Sequence, residues 1–331
     1  MPNPYISGTG FFLPPRVVTN DDLSKHMDTT DEWIQERTGI KERCYVDAGV
    51  GSSDLAIPAT EQALKAADLQ VGDIDFIIFA TSTPDFYAPG SGCLLQEKMG
   101  FNKIGALDIR VQCSGFLYGL SIAEQYIKTG VFDNILLIGA EVQSTAMDLT
   151  DKGRDTAIIF GDGAGTAIIS ATEEDRGILS THMHSEGKYI KELWLESPAS
   201  NAGHPRITSE DLDKGKQYLK MNGREVFRHA ITRFPEVINE CLEKNNLTTD
   251  DIDLLIPHQA NLRITQMVQK RLGLKDDQIF SNIHKYGNTT AGTIPIALAE
   301  AVDAGKISNG NIVVFATFGS GFTWASAAIK W

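Results

Sequence analysis

Basic residues are scarce in this 331-residue chain, long apolar runs are absent, and no two cysteines stand close enough to form a pair. The 30 Lys and Arg residues stand against 43 Asp and Glu, a formal charge of −13 at pH 7. That balance excludes broad contact with nucleic acid or anionic lipid and leaves only local basic patches to meet an acidic partner. No run reaches the roughly 18 apolar residues of a membrane span. The N-terminus, MPNPYISGTGFFLPPRVV, lacks the basic stretch followed by an apolar one that marks an export signal. The four cysteines, Cys44, Cys93, Cys113 and Cys241, form no C-x-x-C pair and no zinc spacing. Reduced thiols, no metal site and a soluble cytoplasmic protein are therefore expected. A nucleotide-binding phosphate loop is missing too. The glycine-rich IIFGDGAGTAII lacks the Lys-Ser/Thr of such loops, and strand-like runs on both sides read as a tight glycine hairpin supporting the core.

What is present reads as a globular enzyme. The 42% hydrophobic fraction and 30 glycines carry no fibrous or disordered bias. The chain also repeats itself. VGDIDFIIFATSTP, ending at Pro84, resembles TDDIDLLIPHQAN, ending at Asn261, with Asp73-Ile74-Asp75 matching Asp251-Ile252-Asp253 at an offset of 178. AEQYIKTGVFDNILLIGAEV from Ala123 resembles AEAVDAGKISNGNIVVFATFG from Ala299 at an offset of 176. Each pair reads as helix, turn and buried strand, so two related α/β halves are expected, 1–172 and 173–331, with largely parallel sheets covered by helices. The least patterned segment, 184–220, reads as an excursion over the surface or over a site.

Parallel α/β sheets place ligands at the carboxyl ends of strands, where helix N-termini also point. Cys113 sits there, between ALDIRVQ and SGFLYGLSIAEQYIK, so the helix dipole and free N–H groups are expected to favour its thiolate. His258 follows DLLIP at a second strand end, and Asn288 lies in YGNTTAG, near the position reached by adding the repeat offset to Cys113. Thiolate, imidazole and carboxamide together supply a nucleophile, a proton carrier and a donor for developing negative charge. The glycines of FATFGSGFTW let backbone N–H groups approach a reacting oxygen. After His258, Arg263, Lys270 and Arg271 share one helix face and offer a landing place for an anionic partner.

Taken in order, QCSGFLYGL, FGDGAG, NGREVF, PHQANLRI, YGNTTAG and FGSGFTW resemble the ketoacyl-acyl-carrier-protein synthases III, and the likeness runs from DEWIQERTGI near residue 31 to the C-terminus. The resemblance implies a thiolase-like fold of two βαβαβ-type halves in a five-layer αβαβα arrangement, and a homodimer. It implies a decarboxylative Claisen condensation of an acyl-CoA starter with malonyl-acyl carrier protein through an acyl-cysteine, initiating fatty acid synthesis. No metal or redox cofactor takes part.

By that similarity Cys113, His258 and Asn288 are the catalytic triad, and the backbone N–H groups of Cys113 and Ser320 form the oxyanion hole. The family's best-known members have glycine where Ser320 stands, but only the N–H is required. Trp33 and Arg154 would sandwich the adenine of coenzyme A, with Arg37 nearby. Gly223 and Asn261 would line the pantetheine tunnel, while Arg263, Lys270 and Arg271 would meet the carrier protein. STPDFYAPGSG corresponds to the family's dimer loop. QCSGFLYG also resembles secondary-metabolite condensing enzymes and acyltransferases of the same fold that take unusual or aromatic acyl-CoA. A papain-like hydrolase shares the Cys, His, Asn order but not the local cysteine signature or the duplicated architecture. A non-catalytic coenzyme A-binding relative would not need the three polar groups.

Overall fold

A computed structural model describes residues 1–331. Two mixed sheets form its frame. The first has the order β1 (Asn3–Phe12), β7 (Gly163–Thr172), β6 (Asn134–Glu141), β4 (Phe76–Ala80), β5 (Gly105–Ile109). The second has the order β11 (Leu254–Pro257), β12 (Ile312–Gly319), β13 (Thr323–Lys330), β8 (Gly177–Ser185). Only β4 with β5, β4 with β6, and β11 with β12 run parallel. The remaining pairs in these sheets are antiparallel, which corrects the expectation of largely parallel sheets. A strand buried on both faces, such as β7, is built of apolar and small residues whichever way its neighbour runs, so the sequence pattern does not carry its direction.

Side-chain alternation along the strands sorts the core into layers. On β6, Ile135 and Leu137 face one way, toward α5 (Gly115–Lys128) and α11 (Thr293–Asp303), in a cluster shared with Val313 and Phe315 of β12. Leu136, Ile138 and Ala140 face the other way and pack on α3 (Ser52–Ala67) and α4 (Ser91–Met99). In the second sheet, Val314, Ala316 and Phe318 face α8 (Gly223–Lys244) and α9 (Leu262–Leu272). Helices, sheet, central helices, sheet and helices thus make five layers.

The repeat reappears at the level of single hydrogen bonds. Asp75 Oδ2 accepts from the N–H of Asn134 (2.9 Å), and Asp253 Oδ2 accepts from the N–H of Ile312 (2.7 Å). Phe76 pairs with Ile135 and Leu254 with Val313, every member shifted by 178 residues.

Smaller elements surround the frame. β2 (Arg16–Thr19) pairs with β3 (Glu42–Tyr45) beside α1 (Asn20–Ser24) and α2 (Asp31–Thr38). Three further short helices are α6 (Arg154–Ala157), α7 (Ser209–Asp213) and α10 (Ile283–Tyr286). The excursion holds α7 and a ribbon of β9 (Leu193–Leu195) with β10 (Leu219–Met221). The expected glycine hairpin at FGDGAG does not form: Ile158 and Ile159 follow α6 as a turn, and only β7 continues as a strand. Their apolar character seats them in a core cluster rather than in a ladder. The glycines serve close packing, since a Cβ on Gly165 would stand 2.5 Å from the backbone N of Ile296.

Candidate active site

Three chain turns converge on one cavity of about 600 Å³. Its floor is Cys113, His258 and Asn288, which are 6%, 2% and 4% exposed, and its mouth carries the exposed Arg37, Arg224 and Arg263. Phe160, Leu193, Met221 and Phe318 are among the apolar side chains between floor and mouth.

Cys113 lies in a 3-10 turn, Gln112–Ser114, that runs straight into α5, as the position past a strand end requires. Backbone N–H groups of Cys113 itself and of Ser320 point at its sulfur. Gly319 stands against it: a Cβ there would come within 2.6 Å of Cys113 Cβ and 3.1 Å of Sγ. The expected thiolate is corrected by the surroundings. Burial, reinforced by the Glu141 carboxylate, pushes the Cys113 thiol up to about 12 against the pull of the two N–H groups. Desolvation at this depth outweighs the helix terminus, so the resting sulfur is protonated.

His258 follows β11, and its Nδ1 lies 2.6 Å from Thr293 Oγ1. That hydroxyl also lies 3.0 Å from the carbonyl oxygen of Thr290. A hydroxyl has one hydrogen. When it donates to Thr290, Nδ1–H donates to Thr293 and the Nε2 lone pair is free; when it turns to Nδ1, Nε2 carries the proton. Nε2 is buried and has no protein partner. Burial lowers the His258 pKa to about 3, so the imidazole rests neutral. Asn288 Oδ1 accepts from the Thr290 N–H (2.8 Å), which turns its amide NH2 the other way. A parallel bridge to Phe160 fixes its backbone.

At the mouth, α2 starts at Thr30, whose hydroxyl accepts from the Trp33 N–H (3.2 Å), and ends at Gly39 in the left-handed region (φ 76°). Its i, i+4 spacing brings the Arg37 guanidinium 4.4 Å from the Trp33 ring centre. Arg154 covers the same ring at 4.8 Å and is held by the Asp28 carbonyl (2.7 Å). No planar base fits between Trp33 and Arg154 as they stand. Asn261 caps α9 through the Arg263 N–H (2.9 Å) and donates to the Arg37 carbonyl (3.0 Å), which ties the two mouth helices together. Gly223 opens α8 on the cavity wall. Arg263, Lys270 and Arg271 are exposed on α9, with Arg271 donating to the Ile231 carbonyl. Ser320 turns its hydroxyl to the Leu193 carbonyl, fastening β9 to the hairpin beside the sulfur.

Sequence reasoning missed Arg224, Thr293 and Glu141. Only Glu141 left a signal, a carboxylate closing the apolar run ILLIGAE, where a charge is out of place unless it is used.

Comparisons with known proteins identify the family. Two family profiles match, 3-oxoacyl-acyl-carrier-protein synthase III over residues 107–187 and its C-terminal counterpart over residues 242–331. The beta-ketoacyl-acyl-carrier-protein synthase III of Caldanaerobacter subterraneus subsp. tengcongensis is 45% identical over 98% of this chain and 97% of its own length. That of Methylococcus capsulatus is 43% identical over 98% of both. The crystal structure of the synthase III from Aquifex aeolicus superposes with a TM-score of 0.90 at 40% identity, covering 99% of this chain and 100% of that one. The Thermus thermophilus structure gives 0.91 at 40% identity, with 99% of each chain covered. The chain belongs to the 3-oxoacyl-acyl-carrier-protein synthase III family of thiolase-fold condensing enzymes.

Proposed function

We propose that Cys113, His258 and Asn288 carry out a two-stage condensation that starts fatty acid synthesis, joining an acyl-CoA to malonyl-acyl carrier protein. The observation that carries this reading is their placement together on the floor of one cavity whose mouth is cationic. The acyl-CoA carbonyl enters beside Cys113, and its oxygen takes over the N–H groups of Cys113 and Ser320 that now face the sulfur. The thiol proton moves to Nε2 of His258 as sulfur attacks, and from there to the departing coenzyme A sulfur. Both groups rest neutral, so neither carries a buried charge until the reaction creates one.

Malonyl-acyl carrier protein then enters. Carbon dioxide leaves, and the enolate oxygen receives the Asn288 amide N–H and the His258 Nε2–H, the second made available by the Thr293 hydroxyl turning toward Nδ1. The carbanion attacks the acyl-cysteine, the bond to sulfur breaks to give the 3-oxoacyl product, and the released thiolate takes a proton from solvent to restore the resting thiol. The β-carboxylate supplies the electron pair, so the chemistry calls for no metal or redox cofactor.

Trp33, Arg37 and Arg154 serve the coenzyme A nucleotide, with Arg154 leaving the Trp33 face to admit it. Gly223 and Asn261 flank the pantetheine arm. Arg263, Lys270 and Arg271 receive the acidic carrier protein. The functional halves are 1–172, bearing the nucleophile, and 173–331, bearing the two donors.

Intact-protein mass spectrometry tests the first stage. Wild-type protein gains one acyl group from acyl-CoA and Cys113→Ala gains none; acylation of that variant at wild-type stoichiometry would sink the reading. Asn288→Ala should acylate normally but lose about a hundredfold to a thousandfold in malonyl decarboxylation, the usual cost of one oxyanion donor.

A further inference from the structure

The two halves differ at one pair of equivalent positions. Cys113 and Ala291, 178 residues apart, each sit in a 3-10 turn, Gln112–Ser114 and Thr290–Gly292, that leads into a central helix. Each turn is entered through a left-handed non-glycine residue, Gln112 at φ 44° and Thr290 at φ 52°. Opposite each turn a strand ends: β12 on Gly319 and β6 on Glu141, again 178 apart. At the Cys113 turn the missing side chain leaves room for a reacting carbonyl. At the Ala291 turn the room is filled.

Glu141 is fully buried and accepts from the Ala291 N–H. It also accepts from the Ser82 N–H (3.1 Å), Ser82 Oγ (2.9 Å), Thr83 Oγ1 (2.6 Å), Gln143 Nε2 (3.3 Å) and Thr81 Oγ1 (3.4 Å). Its carboxylate takes the Ala291 N–H, the counterpart of the Cys113 N–H, while the Val142 N–H, the counterpart of the Ser320 N–H, is taken by Thr83 Oγ1 (2.8 Å), which itself donates to Glu141.

We propose that Glu141 is a positioning residue for condensation, an internal carboxylate that, together with the Thr83 hydroxyl, fills the second half's counterpart of the oxyanion hole and so fixes the 288–293 turn. This rests on the reading that Asn288 and His258 serve decarboxylation. The turn carries both ends of that machinery: Thr290 N–H holds the Asn288 amide, and the Thr290 carbonyl shares Thr293 with His258. A β-branched residue at positive φ is strained and needs an outside restraint, which Glu141 supplies through Ala291. Burying a carboxylate amid six donors and no cation is costly, and burial raises its pKa to about 7. An apolar side chain would pack there more cheaply, but it would leave the Ala291 N–H without an acceptor.

The test compares half-reactions in the full-length Glu141→Gln and Thr83→Val variants. The first keeps the shape but replaces an acceptor oxygen by a donor; the second removes the shortest hydrogen bond to the carboxylate. Glu141→Gln should acylate Cys113 to wild-type stoichiometry while kcat for malonyl-thioester decarboxylation falls about tenfold and KM stays within about twofold. Thr83→Val should show the same selective loss at about threefold, and it carries the test alone if Glu141→Gln does not fold. Unchanged decarboxylation in a folded Glu141→Gln, or in Thr83→Val where that variant stands alone, overturns the proposal. Acylation and decarboxylation falling together in a folded variant overturns it equally. Asn288→Ala separates the two ideas: normal decarboxylation there defeats the functional reading itself, whereas a loss there with none in Glu141→Gln defeats only the role of Glu141.

Discussion

At position 319 the absence of a side chain is a chemical requirement. A methyl group there would stand 2.6 Å from Cys113 Cβ and 3.1 Å from its sulfur, and the neighbours are backbone and nucleophile, which have nowhere to go. Gly319→Ala should lower the rate of acyl transfer to Cys113 by about a hundredfold or more, since it also displaces the adjacent N–H donor. Time-resolved mass spectrometry with acyl-CoA reads that rate. The thiol itself makes a second prediction. With Cys113 held up to about 12 by burial and Glu141, its alkylation rate in the free enzyme should keep climbing from pH 7 to 10 without levelling. A plateau near pH 8, followed by peptide mapping of the carboxamidomethylated cysteine, would contradict it. The location of Cys113 was legible in its sequence neighbourhood. Its protonation was not, because depth of burial is a property of the assembled walls and outweighs the local helix terminus.

Among the elements, the paired aspartates at the strand entrances show how the repeat is wired. Asp75 and Asp253 each receive N–H groups from the first residues of the neighbouring strand, which fixes the register of β4 against β6 and of β11 against β12. A hydrogen bond to a charged group contributes about 1.5 to 3 kcal/mol. Asp253→Ala should therefore cost about 1 to 2 kcal/mol of stability, the lower range because the residue is exposed, and urea denaturation monitors it. Both aspartates stood out in the sequence, since DID recurs before an apolar run. The direction of the outer strands did not, because β7 and β13 are built of apolar and small hydroxyl residues that suit either orientation. Thr293 was equally invisible: a threonine opening a helix is ordinary, and only the fold brings it to His258.

For the whole molecule, two measurements bear on states beyond the single site. The His258 pKa falls from 6.5 in the free side chain to about 3 when buried. The unfolded chain therefore binds a proton that the folded one refuses between those values. Stability contributed by the neutral ring is intact above about pH 6.5 and is lost as pH falls toward 3, at up to about 1.4 kcal/mol per pH unit. His258→Gln should flatten that part of the curve, as chemical denaturation at stepped pH will show. The second measurement concerns assembly. β5 is the edge of its sheet and half exposed along most of its length, and the loop between β4 and α4, tied to β5 through Asp108, presents Phe86 and Tyr87 at 58% and 65% exposure. An uncovered edge beside apolar side chains invites pairing with a second copy. Light scattering should give twice the chain mass, and Phe86→Asp should shift it toward the monomer.

The excursion from residue 184 to 220 has its own consequence. Its ribbon reaches the cavity through Leu193 and Met221 and is held to the hairpin beside the sulfur by the Ser320 hydroxyl, with Glu186 paired to Phe322 at the base of the excursion, while sulfur, imidazole and carboxamide all hang from other stretches of chain. The roof and the reaction are separately mounted. Selectivity for one starter over another can thus drift by remodelling an appendage, leaving the machinery beneath it untouched.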